Sequence, residues 1–182
     1  MKKVIFLALF SISISAIAQS KYLTKTGQLN FEASVPSFEE VAAKNNAVTA
    51  ILNTENGEFA ALALVKGFRF KNALMEEHFN ENYAESDEHP KATFKGKVDG
   101  LDFDNLSNEE SNTSIDGSLT FHGVTKQVEG ISLTIKKEDK KIIISGNFKV
   151  LASDFEIEIP KIVANKLSNE VEIDFKFELV KK

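Results

Sequence analysis

From Val171 to Leu179 five apolar residues alternate without a break with four charged ones, Val-Glu-Ile-Asp-Phe-Lys-Phe-Glu-Leu. Successive side chains of a strand point to opposite faces, so this segment must have one dry face and one wet face. The same period recurs upstream. Ala92, Phe94, Gly96 and Val98 alternate with Lys91, Thr93, Lys95 and Lys97, and Ile115, Gly117, Leu119 and Phe121 alternate with Asp116, Ser118 and Thr120. Ile142, Ile144, Gly146, Phe148 and Val150 form a further inward set, with Ile143 as the exception. His122-Gly123 breaks one run and Val128 begins the next. Parity then changes from Val128 to Ile131, Leu133 and Ile135, which predicts a β-bulge at Glu129-Gly130.

The first half is less regular. Tyr22 to Ala33 reads as a strand bent at Gly27. Ser34 to Ser37 reads as a turn, and Ser37 with Glu40 forms a capping-box pattern that predicts a short helical turn over Phe38 to Ala43, ended by Lys44-Asn45-Asn46. Ala47 to Asn53 and Glu58 to Lys66 form a hairpin around Asn56-Gly57. Asn72 to Ala84 is the best helical stretch, with Leu74, Met75, His78, Phe79 and Tyr83 recurring at three- and four-residue steps. Ser153 to Ile159 reads as a strand that Pro160 interrupts. About eight strands with one apolar face each must pack in two layers or close on themselves, and the short meander connections favour an up-and-down antiparallel β-barrel with one helix against it.

Residues 1–18 carry Lys2-Lys3, an apolar run from Val4 and the end Ala16-Ile17-Ala18, the pattern of a secretory signal peptide cut before Gln19. The 15-residue run to Ala18 is short of the roughly 20 apolar residues a spanning helix needs, so no transmembrane segment is expected in the mature chain. Residues 19–182 then form one domain, periplasmic or secreted. Removing Lys2 and Lys3 takes the formal charge from −5 to −7, and Arg69 is the single arginine, which disfavours nucleic acid as a partner. Without cysteine, disulfides, thiolate metal sites and cysteine nucleophiles are excluded. The core must hold the domain by itself, and the thirteen phenylalanines that follow residue 18 supply much of it.

Small residues recur on the inferred inward faces: Ala61, Ala63, Ala92, Gly96, Gly117 and Gly146. They either leave room for a ligand or interlock with the phenylalanine rings, and alternation alone leaves both readings open. His78, His89 and His122 have no metal-ligand spacing along any element, so each reads as structural or exposed unless the fold brings them together. Glu76-Glu77-His78 reads as a solvated helix edge. No nucleophile elbow, phosphate loop or cofactor motif is present, so no catalytic residue, metal or cofactor is assigned and the chain does not read as an enzyme.

The segment Gly117-x-Leu119-Thr120-x-His122-Gly123-Val124-Thr125-Lys126-x-Val128 resembles the hallmark hairpin of the YceI-like family of secreted bacterial isoprenoid-binding proteins. Glu88 to Phe94, with Pro90 four residues before Phe94, is similar to that family's strand entry. Ser153-Asp154-Phe155-Glu156-Ile157 is similar to its Ser-Asp-Phe-x-Ile stretch. Met75-Glu76-Glu77-His78-Phe79 stands where the family has Arg-Asp-x-His-Leu, so the Arg is missing, and Tyr22 stands near the place of an early Trp. The resemblance implies a lipocalin-like barrel, its helix near the mouth, holding a polyisoprenoid or quinone tail for carriage or storage in the cell envelope. On alternation the ligand-binding wall is Phe31, Phe94, Leu119, Phe121, Leu133, Ile144, Phe148, Ile173, Phe175 and Phe177, with Met75, His78 and Phe79 nearer the mouth. A structural or protein-interaction module with a filled barrel, and an enzyme acting on a bound small molecule, are the competing readings. Oligomeric state, a homodimer included, is left open at this level.

Overall fold

Nine antiparallel strands account for most of the described residues. They are β1 (Lys21–Ser34), β2 (Ala42–Asn53), β3 (Glu58–Leu64), β4 (Arg69–Phe70), β5 (Lys91–Val98), β6 (Ser111–Phe121), β7 (Val124–Glu138), β8 (Lys141–Leu151) and β9 (Leu167–Lys181). The computed structural model describes residues 20–182 apart from Ser37 and Asp99, so the expected signal peptide lies outside the described residues. The sheet order is β1-β9-β8-β7-β6-β5-β3-β2-β4, and β1 also pairs with β2. That last pairing closes eight strands into a barrel and leaves β4 as a two-residue addition on β2. Closure removes the free edges that eight amphipathic strands would otherwise expose. No helix among the described residues is long and apolar enough to cross a membrane.

The expected irregularities occur where local chemistry asked for them. Ile115 pairs with Ile131 and Gly117 with Val128, so Asp116 faces both Glu129 and Gly130. Gly130 takes φ 66° and its N–H donates to the Asp116 carboxylate at 2.6 Å, completing the bulge. β1 shifts register on both sides of Gly27. The β6–β7 hairpin turns on two residues of positive φ, His122 (49°) and Gly123 (75°), the geometry whose twist suits a two-residue hairpin.

Two expectations are corrected. Phe38 to Ala43 is not helical: β2 begins at Ala42, where Ala42 and Ala43 pair with Glu32 and Phe31 of β1 and Ala43 also pairs with Phe70. A ladder on two sides outweighs one local cap, and the capping residue Ser37 lies outside the described residues. Ser153 to Ile159 does not continue β8. Ala152–Phe155 is a 3₁₀ turn, Glu156 takes φ 59°, and the chain to residue 166 runs as an irregular strap before β9.

The helix α1 (Ala73–His78) continues as one π-helical turn over Phe79–Tyr83, matching the expected span. Asn72 caps it, its side chain accepting from the Leu74 N–H at 2.9 Å. The Glu76 carboxylate accepts from Arg69 (2.8 Å) and from the Phe70 N–H (3.1 Å), tying helix to β4. An arginine–carboxylate pair is therefore made at this helix although Met75 occupies the resembling Arg position.

Candidate functional site: an apolar cavity in the upper barrel

The two ends of the barrel are built differently. At one end Leu52, Ile135, Ile142 and Leu179 are buried to 1% exposure or less, and Val98, Phe103 and Leu106 join them from β5 and the loop that follows. None of these lines the apolar cavity at the other end; they form the floor beneath it. At the other end the interior holds a cavity of about 570 Å³. Its wall takes in Val48, Phe59, Ile115, Ile131 and Phe177 low in the barrel, and Phe31, Ala63, Ala92, Phe121 and Val171 nearer the rim.

The inward small residues do two different things. Ala61, Ala63 and Ala92 line the cavity and leave its volume open. Gly117 and Gly146 instead seat rings: a Cβ on Gly117 would lie 2.5 Å from Phe94 Cζ, and one on Gly146 would lie 2.7 Å from Phe175 Cζ. The rings so placed lean into the barrel and shape the cavity. Phe175 stacks on Phe177 with centroids 5.5 Å apart, and Phe177 lies 5.6 Å from Phe59. Both sequence readings of the small residues are realised, at different positions.

The mouth has a second aromatic cluster. Phe31 meets Phe68 at 5.2 Å, Phe70 at 5.7 Å and Phe79 at 5.3 Å. Phe79 in turn lies 5.3 Å from Phe70. Strand β4 and the helix thus reach the barrel through one group of interlocked rings, worth about 0.5–1.5 kcal/mol per pair beyond area burial. The strap after Phe155 faces them, bringing Ile157, Ile159, Val163 and Lys166 to the cavity. Polar groups on the lining are few: Glu39, His78, Tyr83, Thr93, Lys166 and Ser168.

All thirteen residues expected on the wall face this cavity: Phe31, Met75, His78, Phe79, Phe94, Leu119, Phe121, Leu133, Ile144, Phe148, Ile173, Phe175 and Phe177. Alternation placed the strand residues because a register error would have turned each set outward together. What it did not supply was the mouth. Phe38, Val41, Phe68, Phe70 and the strap residues lie on segments without a period, and the Ile157-x-Ile159 pair flanking Glu158 was the available hint.

A closed antiparallel barrel of eight strands, floored at one end and hollow at the other, is a lipocalin-like architecture. The chain belongs to the YceI-like domain family, whose model matches residues 19–179. Among solved structures it is similar to a polyisoprenoid binding domain from Saccharophagus degradans implicated in plant cell wall breakdown (18% identity, TM-score 0.79, covering 90% of this chain and 99% of that one). It is also similar to BcnA of Burkholderia cenocepacia (16%, TM-score 0.68, 86% and 96%) and to the Campylobacter jejuni YCEI protein (18%, TM-score 0.64, 81% and 89%). At these identities the likeness is one of fold. Among curated proteins, none matches the chain.

Proposed function

We propose that this protein binds the hydrocarbon chain of a lipid, of the polyisoprenoid or quinone-tail class, inside the upper barrel, and carries or stores it in the cell envelope without chemical change. The observation that carries the reading is the cavity: about 570 Å³, walled by aliphatic and aromatic side chains. Each methylene transferred from water into such a space contributes about 0.8 kcal/mol, so a chain of modest length binds well with no polar contact at all. The polar groups Glu39, His78, Tyr83 and Lys166 sit at the mouth end, where a headgroup would remain partly wet. The similar Saccharophagus degradans structure is that of a polyisoprenoid binding domain, which supports the same class of ligand. The charged n-region and Ala-x-Ala end of residues 1–18 support export to the periplasm or beyond, with cleavage after Ala18.

The test is extraction of the purified protein with organic solvent, followed by mass spectrometry. The expected result is a lipid with a long apolar chain in near-stoichiometric amount, absent from a control protein purified alongside. An empty extract, together with failure to take up added isoprenoid, rejects the proposal.

A further inference from the structure

At the barrel rim, outside the cavity wall, the fold brings His122 to two residues more than thirty positions earlier in the chain. His122 is at the tip of the β6–β7 hairpin, and Glu85 and His89 are on the short segment that joins the mouth helix to β5. One ligand atom from each of Glu85, His89 and His122 lies within 4.8 Å of the others. The imidazole rings of His89 and His122 meet edge to face with centroids 4.9 Å apart. Room for this contact depends on Gly123, since a Cβ there would lie 2.8 Å from His89 Cε1.

The hydrogen bonding of His122 is the decisive detail. Its Nδ1 is 2.9 Å from the carbonyl oxygen of Phe155, which can only accept. The ring must therefore carry hydrogen on Nδ1. The other ring nitrogen, Nε2, is 2.9 Å from a carboxylate oxygen of Glu85, which also only accepts. Either a hydrogen on Nε2 or a metal ion beside the pair satisfies both atoms. A backbone carbonyl that fixes the tautomer from behind is also the usual support of a metal-ligating histidine.

The surroundings hold the donors in place. The Glu85 carbonyl accepts from the N–H groups of Glu88 (2.9 Å) and His89 (2.8 Å), so the two ligands on this segment share one tight turn. Ala84 and Ser86 on either side of Glu85 are buried to 0% and 2%. Glu85 and His122 both take positive φ, 42° and 49°, a cost for non-glycine residues that recurs at functional sites. The His122 side chain is 14% exposed and that of Glu85 is 48% exposed, so the cluster has a sheltered side and an open one.

We propose that Glu85, His89 and His122 form a binding site for a divalent transition metal of the zinc class, with a fourth position open to water. Two imidazoles and a carboxylate suit such ions, whereas calcium and magnesium favour oxygen ligands throughout. Tetrahedral ligation sets ligand atoms about 3.3 Å apart, so these atoms, now within 4.8 Å of one another, would draw closer on binding. The ion would join the hairpin tip to the segment leaving the mouth helix, fastening the rim of the barrel. The proposal is independent of what the cavity holds.

The experiment uses tag-free protein stripped with EDTA and dialysed into a non-coordinating buffer, titrated calorimetrically with zinc chloride. One equivalent is expected to bind saturably, with the affinity falling more than roughly tenfold in Glu85→Gln and in His89→Gln, and unchanged in the exposed neighbour Glu88→Gln. Cobalt(II) added to the unmodified protein is expected to develop visible bands of a four- or five-coordinate centre that zinc abolishes, a readout that needs no variant to fold. Absence of stoichiometric zinc uptake, a cobalt spectrum identical to the hydrated ion, or uptake indifferent to His89→Gln overturns the proposal and leaves His122 and Glu85 as a hydrogen-bonded pair.

Discussion

Replacing Ala61 by tryptophan separates an open interior from a filled one. Ala61 sits in the middle of β3, pairs with Ala50 of β2 and Phe94 of β5, and lines the cavity. If the space is free, the indole enters it and excludes ligand. An indole occupies roughly the room of four or five chain methylenes, which at about 0.8 kcal/mol each amounts to about 3–4 kcal/mol of lost binding, a several-hundredfold weakening. Stability should change little, because the ring occupies space that already exists. In a filled barrel the same substitution forces side chains off their rotamers and costs about 1–3 kcal/mol. The assay pairs displacement of a fluorescent apolar probe with urea unfolding of the same preparation. A variant that keeps wild-type affinity places the ligand elsewhere, and one that loses stability by that amount shows that the interior at Ala61 is occupied by protein. Either result refutes the reasoning.

Three further outcomes follow from the packing. In Gly117→Ala the new Cβ would lie 2.5 Å from the Lys95 carbonyl oxygen as well as from Phe94; the backbone cannot yield easily, so a loss of about 1–3 kcal/mol and a thermal midpoint lower by several degrees are expected by calorimetry. Asn45, 1% exposed, donates to the Leu64 carbonyl at 3.0 Å and accepts from the Ala47 N–H at 2.9 Å; Asn45→Ala leaves both groups without their partner and should cost about 2–4 kcal/mol in denaturant unfolding. The Glu178 carboxyl is held below its ordinary value by the hydrogen bond and charge of Lys141, with Lys176 adding to the effect. Its stabilisation is therefore full above the ordinary carboxylate pKa and is lost as pH falls through the lower folded value. In Lys141→Met a carbon-detected NMR titration should show the Glu178 pKa rising toward the ordinary range.

The parts of the fold legible in the sequence are those where one residue's environment repeats every second position. Strand β9 and the β6–β7 hairpin with its bulge belong to this class, because closure buries one face of each and a period-two pattern records that burial directly. The segment from Phe38 to Ala43 was misread because its capping signal is local while the ladder from Phe31 and Glu32 comes from another part of the chain. The strap between Phe155 and Leu167 has no period at all, since it is held by packing over the mouth rather than by a ladder. His89 and His122 looked unrelated for the same reason: 33 residues separate them, and only barrel topology with a tight turn at Glu85 brings their rings to 4.9 Å.

The account rests on hydrocarbon entering the upper barrel, and a chain-length series measures that most directly. Apolar ligands identical in headgroup and differing by single methylenes are titrated by calorimetry against the delipidated protein. Affinity is expected to rise by about fourfold per methylene, the equivalent of about 0.8 kcal/mol, and to level off once the roughly 570 Å³ of the cavity is filled. An affinity independent of chain length, or one that follows the headgroup alone, would contradict it.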